Sequence, residues 1–132
     1  MFSHIMVGSN DIARSKTFYD AVLGVLGAGD PFRHVNATGQ TRLFYRHGGG
    51  SFGISEPIDG ESATCANGAT IGFKCDSAEQ VAAFHAAGLA HGGTSIEDPP
   101  GVREGGSLGS AYLAYLRDPD GNKLCASWRV PA

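Results

Sequence analysis

Few side chains in this sequence could do chemistry. His4 heads a β-rich run, and an imidazole titrating near neutral pH could move a proton without a metal. Cys125 lies in the last such run. With Cys65 and Cys75 it makes three cysteines, odd in number and without C-x-x-C spacing, which reads as free thiols rather than disulfides or a cysteine-cluster zinc site. Arg103 sits in the middle of residues 97–110, a stretch long enough for a lid or binding loop. Its planar fork could clamp a carboxylate or phosphate, the alternative being a solvated surface arginine. Tyr45, Tyr115 and Arg117 fall on strand-like runs that could border a binding face. Alternation puts Tyr115 and Arg117 on one side of their strand, with Ala114 and Leu116 on the other. His34 and His47 read as surface loop residues, and His85 and His91 as residues near a helix end, where imidazolium suits the dipole. No Ser–His–Asp order or carboxylate pair is evident. Gly48-Gly49-Gly50 precedes no helix start and reads as a turn, not a phosphate cradle.

The elements that must position these residues come in a repeating order. Residues 3–7 form a β-rich run closed by Gly8-Ser9-Asn10-Asp11, after which Ile12, Ser15, Phe18, Tyr19 and Val22 recur at helical spacing. Asp11 can accept the orphan N–H groups of the first turn, and Gly24 is a natural stop. Residues 41–46 and 51–55 read as a hairpin across the three glycines. A second β run at residues 70–74 then leads into a helix whose Ser77 and Gln80 have capping-box spacing, followed by a hairpin of residues 112–117 and 122–128. An offset of 66 residues sets Phe84 on Phe18 and Thr70 on His4, so the chain reads as two copies of one strand–helix–strands unit in an α+β arrangement.

Composition excludes several partners. The 132 residues fit one domain, and 42% hydrophobic with 17% charged residues is ordinary for a globular chain. The ten Lys and Arg residues are scattered through a sequence of net charge −3, which leaves no basic stripe for nucleic acid. No apolar run reaches bilayer length and no secretory signal is evident, so the expected location is cytoplasmic, without a membrane partner.

Two stretches carry a resemblance. Ser3-His4-Ile5-Met6-Val7, followed by Asp11, Phe18-Tyr19 and Leu23-Gly24, resembles the opening of vicinal-oxygen-chelate proteins, the glyoxalase, bleomycin-resistance and dioxygenase superfamily. Arg117-Asp118-Pro119-Asp120-Gly121-Asn122 resembles their closing hairpin. The resemblance spans the chain. It implies paired βαβββ modules, about residues 1–60 and 61–132 of one domain, with curved mixed sheets that form a cup for a small molecule, and frequent dimerisation. In metal-using relatives, His and Glu from the first and last strands of the modules hold the ion. His4 fits one such position, but Thr70, Gly53 and Cys125 fall at the others, and a divalent site needs three or more good donors. The only remaining donor set would be His4, Cys125 and Glu56, and Glu56 should face the other side of a regular strand from Gly53. No tightly bound metal or other cofactor is therefore expected.

The resulting expectation is a glyoxalase-related protein that binds or transforms a small metabolite or electrophile. His4 and Cys125 would be its catalytic pair, and Thr70, Tyr45, Arg103, Tyr115 and Arg117 its substrate contacts. A lyase-like enzyme is one form of this. A non-catalytic protein that sequesters a drug or metabolite, with His4 as a polar cup residue and Cys125 as a small buried side chain, is the second. A structural or regulatory homodimer with a vestigial cup is the third, and a homodimer is the expected assembly.

Overall fold

The computed structural model describes residues 1–132, and its elements follow from local chemistry. Strand β1 (Ile5–Gly8) gives way to α1 (Ile12–Leu26), whose first turn is capped by Asp11 accepting from the Arg14 N–H at 3.0 Å. The helix runs past Gly24, the expected stop, to Gly27, whose φ of 103° only glycine adopts cheaply. The Ala28 and Gly27 N–H groups then return to the carbonyls of Leu23 and Gly24 in a Schellman closure. Strands β2 (Phe32–Val35), β3 (Thr41–His47) and β4 (Gly50–Ser55) complete the first module. The second repeats it with β5 (Ile71–Lys74), α2 (Ala78–Ala90), β6 (Thr94–Glu104), β7 (Ser110–Arg117) and β8 (Lys123–Arg129). Ser77 caps α2 by accepting from the Gln80 N–H, while the Gln80 side chain accepts from the Asp76 N–H and donates to the Val25 carbonyl at the end of α1.

Each module forms one four-stranded mixed sheet, ordered β1-β4-β3-β2 and β5-β8-β7-β6. The internal repeat is visible in the register. Ile5 pairs with Phe52 as Ile71 pairs with Leu124, and Met6 with Gly53 as Gly72 with Cys125. The offset is 66 residues through the helices and 72 at the last strands, because β6 is longer than β2 and carries an irregularity between Ile96 and Gly101. Residues 97–110 are thus no lid. They form the bulged strand β6 and a 3₁₀ turn (Gly106–Leu108), held because both flanks of the bulge pair with β7. No helix is long and apolar enough to cross a membrane.

The helices cover one face of the sheets, and both modules share a core. Phe18, Tyr19, Val22 and Leu23 of α1 pack with Leu43, Tyr45, Phe52 and Ile54, and Val81 and Phe84 of α2 with Leu116, Leu124 and Ala126. An aromatic row crosses the boundary: Tyr19 lies 4.8 Å from Phe52, Phe52 5.4 Å from Phe73, and Phe73 5.4 Å from Phe84, ring centre to ring centre. Gly88 is required where the helices meet, since a Cβ there would strike Leu116 and Phe18.

The closing hairpin locks the modules together. Asp118, only 4% exposed, accepts from the N–H groups of Asp120 and Asn122, from the Asn122 side chain and, at 2.5 Å, from the Tyr19 hydroxyl of α1. Asp120 accepts from the Asn10 N–H, the Ser15 hydroxyl and Arg14. Removing the Asp118 carboxylate leaves several donors unsatisfied, whereas removing the Tyr19 hydroxyl deletes one hydrogen bond. Asp118→Ala should therefore cost about 3–5 kcal/mol and Tyr19→Phe about 1–2 kcal/mol, read from urea unfolding at neutral pH. Equal costs would show that the hairpin does not depend on its carboxylate.

Candidate functional site

With the helices on one side, the opposite faces of the two sheets are free to meet a ligand. On the first sheet these residues line up across the strands by register. Met6, Gly53, Phe44 and Phe32 form a central row, Gly8, Ser55, Arg42 and His34 a row on one side, and Arg46 and Ser51, with His4 just before β1, a row on the other. On the second sheet the equivalent central row is Gly72, Cys125, Tyr115 and Ile96, flanked by Lys123, Arg117 and Thr94, with Thr70 just before β5. β1 and β5 are each the end strand of their own sheet. Between these strands lies a cavity of about 600 Å³ bordered by His4, Ile5, Ile71, Gly72, Phe73 and the β3–β4 hairpin.

His4 is exposed at the mouth of this cavity, its Nδ1 within 2.8 Å of the Ser3 hydroxyl. Thr70 is also exposed, at the equivalent place in the second module. Cys125 is 6% exposed in the central row of the second sheet, opposite both Gly72 and Tyr115. Burial pushes its thiol above the ordinary range, the neighbouring Tyr115 offsets that in part, and the thiol donates to the Ala126 carbonyl at 3.7 Å. A covered thiol that is harder than usual to ionise is a weak nucleophile. Tyr115 shares this face with Arg117, which donates to the Gly121 carbonyl at 2.8 Å, and the Lys123 ammonium lies 4.9 Å from the Tyr115 ring centre while pairing with Glu97. Burial and the neighbouring Cys125 both push the Tyr115 phenol up.

Tyr45 points toward the helices, 2% exposed; its hydroxyl donates to Asp20 at 2.7 Å, and it lines the cavity between β1 and β5. The other candidates are committed elsewhere. Arg103 donates to the carbonyls of Asp98, Pro99 and Gly101, so its fork braces the β6 bulge, where Glu97 has a φ of 61°. Glu56 accepts from the Thr41 N–H at 2.7 Å, beyond Ser55 at the far end of β4 from His4. No group of three His, Cys, Asp or Glu side chains is placed to hold a metal ion. The positions equivalent to metal ligands in the resemblance carry an imidazole, a hydroxyl, a glycine and a thiol, a donor set that does not fit a divalent centre.

Sequence reasoning missed three histidines. His34 lies on β2 and His47 ends β3, not in loops, because an exposed edge strand shows no hydrophobic alternation to betray it. His85 is 8% exposed and its Nε2 lies 2.9 Å from the Ser95 hydroxyl, facing β6 rather than solvent at a helix end.

A cup of paired βαβββ modules, with its helices behind the sheets and its open faces in front, is the class of protein that these features define. The chain belongs to the Glyoxalase/Bleomycin resistance protein/Dioxygenase superfamily, whose family model matches residues 1–126. It is similar to a glyoxalase/bleomycin resistance protein from Albidiferax ferrireducens T118, with 57% identity over 98% of this chain and 99% of that one and a TM-score of 0.88. Two more distant structures share the fold. One is a glyoxalase/bleomycin resistance protein/dioxygenase family enzyme from Burkholderia phytofirmans PsJN, at 18% identity over 97% and 98% of the chains and TM-score 0.68. The other is a genomically encoded fosfomycin resistance protein from Listeria monocytogenes, at 17% identity over 98% and 94% and TM-score 0.69. No functionally curated protein matches the sequence.

His85 makes the fold sensitive to acid. Burial pushes its imidazole below the ordinary value of 6.5, so the folded state accommodates the neutral ring. The stability this provides is fully present above about pH 6.5 and is lost as pH falls toward the lowered folded value. Urea unfolding should show stability declining as pH falls below about 6.5, and more shallowly in His85→Gln. Identical slopes for the two proteins would remove His85 from the acid response.

Proposed function

We propose that this protein binds a small organic molecule against the open faces of its sheets and at the cavity between β1 and β5, without a tightly held metal. The observation that carries this reading is the register equivalence of Met6–Gly53 and Gly72–Cys125. It puts side chains that cannot complete a metal centre at the ligand positions of the family, while leaving a cavity of about 600 Å³ with His4 at its mouth. In this reading His4 contributes a hydrogen bond to the ligand, and Tyr115, Arg117 and Thr70 border the second face. Arg103 and Tyr45 hold the strands that carry it.

One observation favours a second, enzymatic reading. Cys125 lies opposite both Gly72 and Tyr115 in register, with the Lys123 ammonium 4.9 Å from the Tyr115 ring centre, so an electrophile lodged at Gly72 would meet a thiol flanked by a phenol and a cation. The covering of the thiol makes simple binding the stronger reading.

A thermal-shift panel of small organic molecules, repeated with a chelator, tests the proposal. Binding should survive the chelator. His4→Ala should weaken it about tenfold, as expected for loss of one ligand hydrogen bond, and His91→Ala at the exposed end of α2 should leave it unchanged. Loss of binding on chelation, restored by zinc, manganese, nickel or iron, would overturn the metal-independent reading.

We also propose a homodimer. β1 and β5 each end a sheet with one unpaired edge, and such edges invite pairing with a second copy. Sedimentation velocity at micromolar concentration should give the mass of two chains. A single-chain mass would mean that the edges are protected within the monomer.

A further inference from the structure

The open face of the first sheet has a charge that the chain as a whole lacks. Net charge is −3, yet residues 31–55 hold Arg33, His34, Arg42, Arg46 and His47 and no Asp or Glu. Register puts Arg42 opposite His34 on one side of the Met6–Gly53–Phe44–Phe32 row, and Arg46 beside Ser51 on the other. These residues line a cleft of about 750 Å³ that also reaches His4 and His47, and no carboxylate borders it. The three ion pairs of the protein are Arg14–Asp120, Lys16–Asp20 and Lys123–Glu97, so both cleft arginines are without an acidic partner. The Arg42 Nε is buried and has no acceptor, which is costly for a guanidinium N–H unless something completes it.

The apolar row supplies a second requirement. Gly53 has no side chain, and a Cβ there would sit 3.1 Å from Met6 and 3.2 Å from Phe44, so the glycine lets those two close over the strand. Met6 and Phe32 remain exposed, at 38% and 63%. A flat apolar strip with a cation at each side matches a ligand that is apolar at its centre and anionic at its end. The distance from one row to the next is two residues along a strand, on the order of 6.8 Å between backbones, which the long Arg42 and Arg46 side chains can close toward the apolar row.

We propose that this face is a binding cleft for a small aromatic organic acid. The ring lies on the Met6, Phe44 and Phe32 row, and the carboxylate or phosphate monoester accepts from Arg42, with His34 beside it. Arg46 holds the opposite side and draws the anion in. The inference rests on the reading that the open sheet faces hold a small molecule, and it adds the chemical class. The acid group accepts from the terminal Nη groups of Arg42, which no protein acceptor or carboxylate occupies, and a charge-assisted bond to a half-buried guanidinium is the strongest single contact this surface can offer.

Isothermal titration with phenyl phosphate, benzoate, benzyl alcohol and inorganic phosphate tests it. The two aromatic acids should bind, and both benzyl alcohol and inorganic phosphate should bind about tenfold or more weakly, since each keeps only half of the match. Arg42→Gln should weaken phenyl phosphate about tenfold to a hundredfold, while Arg33→Gln, on the other face of β2, should leave it unchanged. Several outcomes would overturn the proposal: inorganic phosphate binding as tightly as phenyl phosphate, Arg42→Gln and Arg33→Gln having equal effects, or Arg42→Gln splitting a dimer without changing affinity. If only neutral compounds bind, and do so through His4, the small-molecule reading stands and the acid class falls. If no compound of any charge binds, both fall.

Discussion

Asp118 has almost no contact with solvent and no cation at its side, yet its carboxylate holds the two halves of the molecule in place. Burying a carboxylate costs several kcal/mol unless its lone pairs are filled, and here two backbone N–H groups, the Asn122 amide and the Tyr19 hydroxyl fill them. Three of the four donors come from the hairpin itself, which fixes its shape. The fourth comes from the first helix, which fixes where the hairpin sits. Asp120 extends the lock to Asn10, Arg14 and Ser15 at the turn between β1 and α1. The orientation of one sheet against the other, and so the shape of the cavity between β1 and β5, depends on this small polar network behind it.

That network explains why some of the sequence was readable. The Asp-Pro-Asp-Gly-Asn string is legible because its residues do backbone work: a preset turn, a glycine with φ of 92°, and an Asp that caps its own loop. The strand–helix repeat was legible for a similar reason, since caps and helical periodicity are local. What escaped was set by neighbours distant in sequence. β2 is an exposed edge strand without alternation. Residues 97–110 contain two prolines and look like a loop, but β7 pairs with both flanks and turns the excess into a bulge. Tyr45 and Tyr115 are both strand tyrosines, and only packing decides that one reaches back to Asp20 behind the sheet while the other stands on the open face opposite Cys125.

The two open faces show how one topology carries two chemistries. Equivalent positions hold Met6 and Gly72, Gly53 and Cys125, and Phe44 and Tyr115. The glycine has changed strands between the modules. In the first it lies on β4, so Met6 and Phe44 close over it and the centre of the face becomes a filled apolar strip. In the second it lies on β5, where a Cβ would meet nothing within 4 Å, while the neighbouring Cys125 stays covered.

Charge follows the same division. On the second sheet Lys123 pairs with Glu97, and Arg117 and Arg103 donate to nearby carbonyls. Their positive groups are therefore spent on the strands and bulge that carry them. On the first sheet Arg42 and Arg46 have no such partners. A cation already paired with a carboxylate must break that pair before it can meet a ligand anion, and the gain is reduced by what is broken. An unpaired one loses only water. The face without carboxylates is therefore the one on which an incoming anion gains most, even though Thr70, Tyr115, Arg117 and Cys125, which look more like a site in the sequence, all lie on the other.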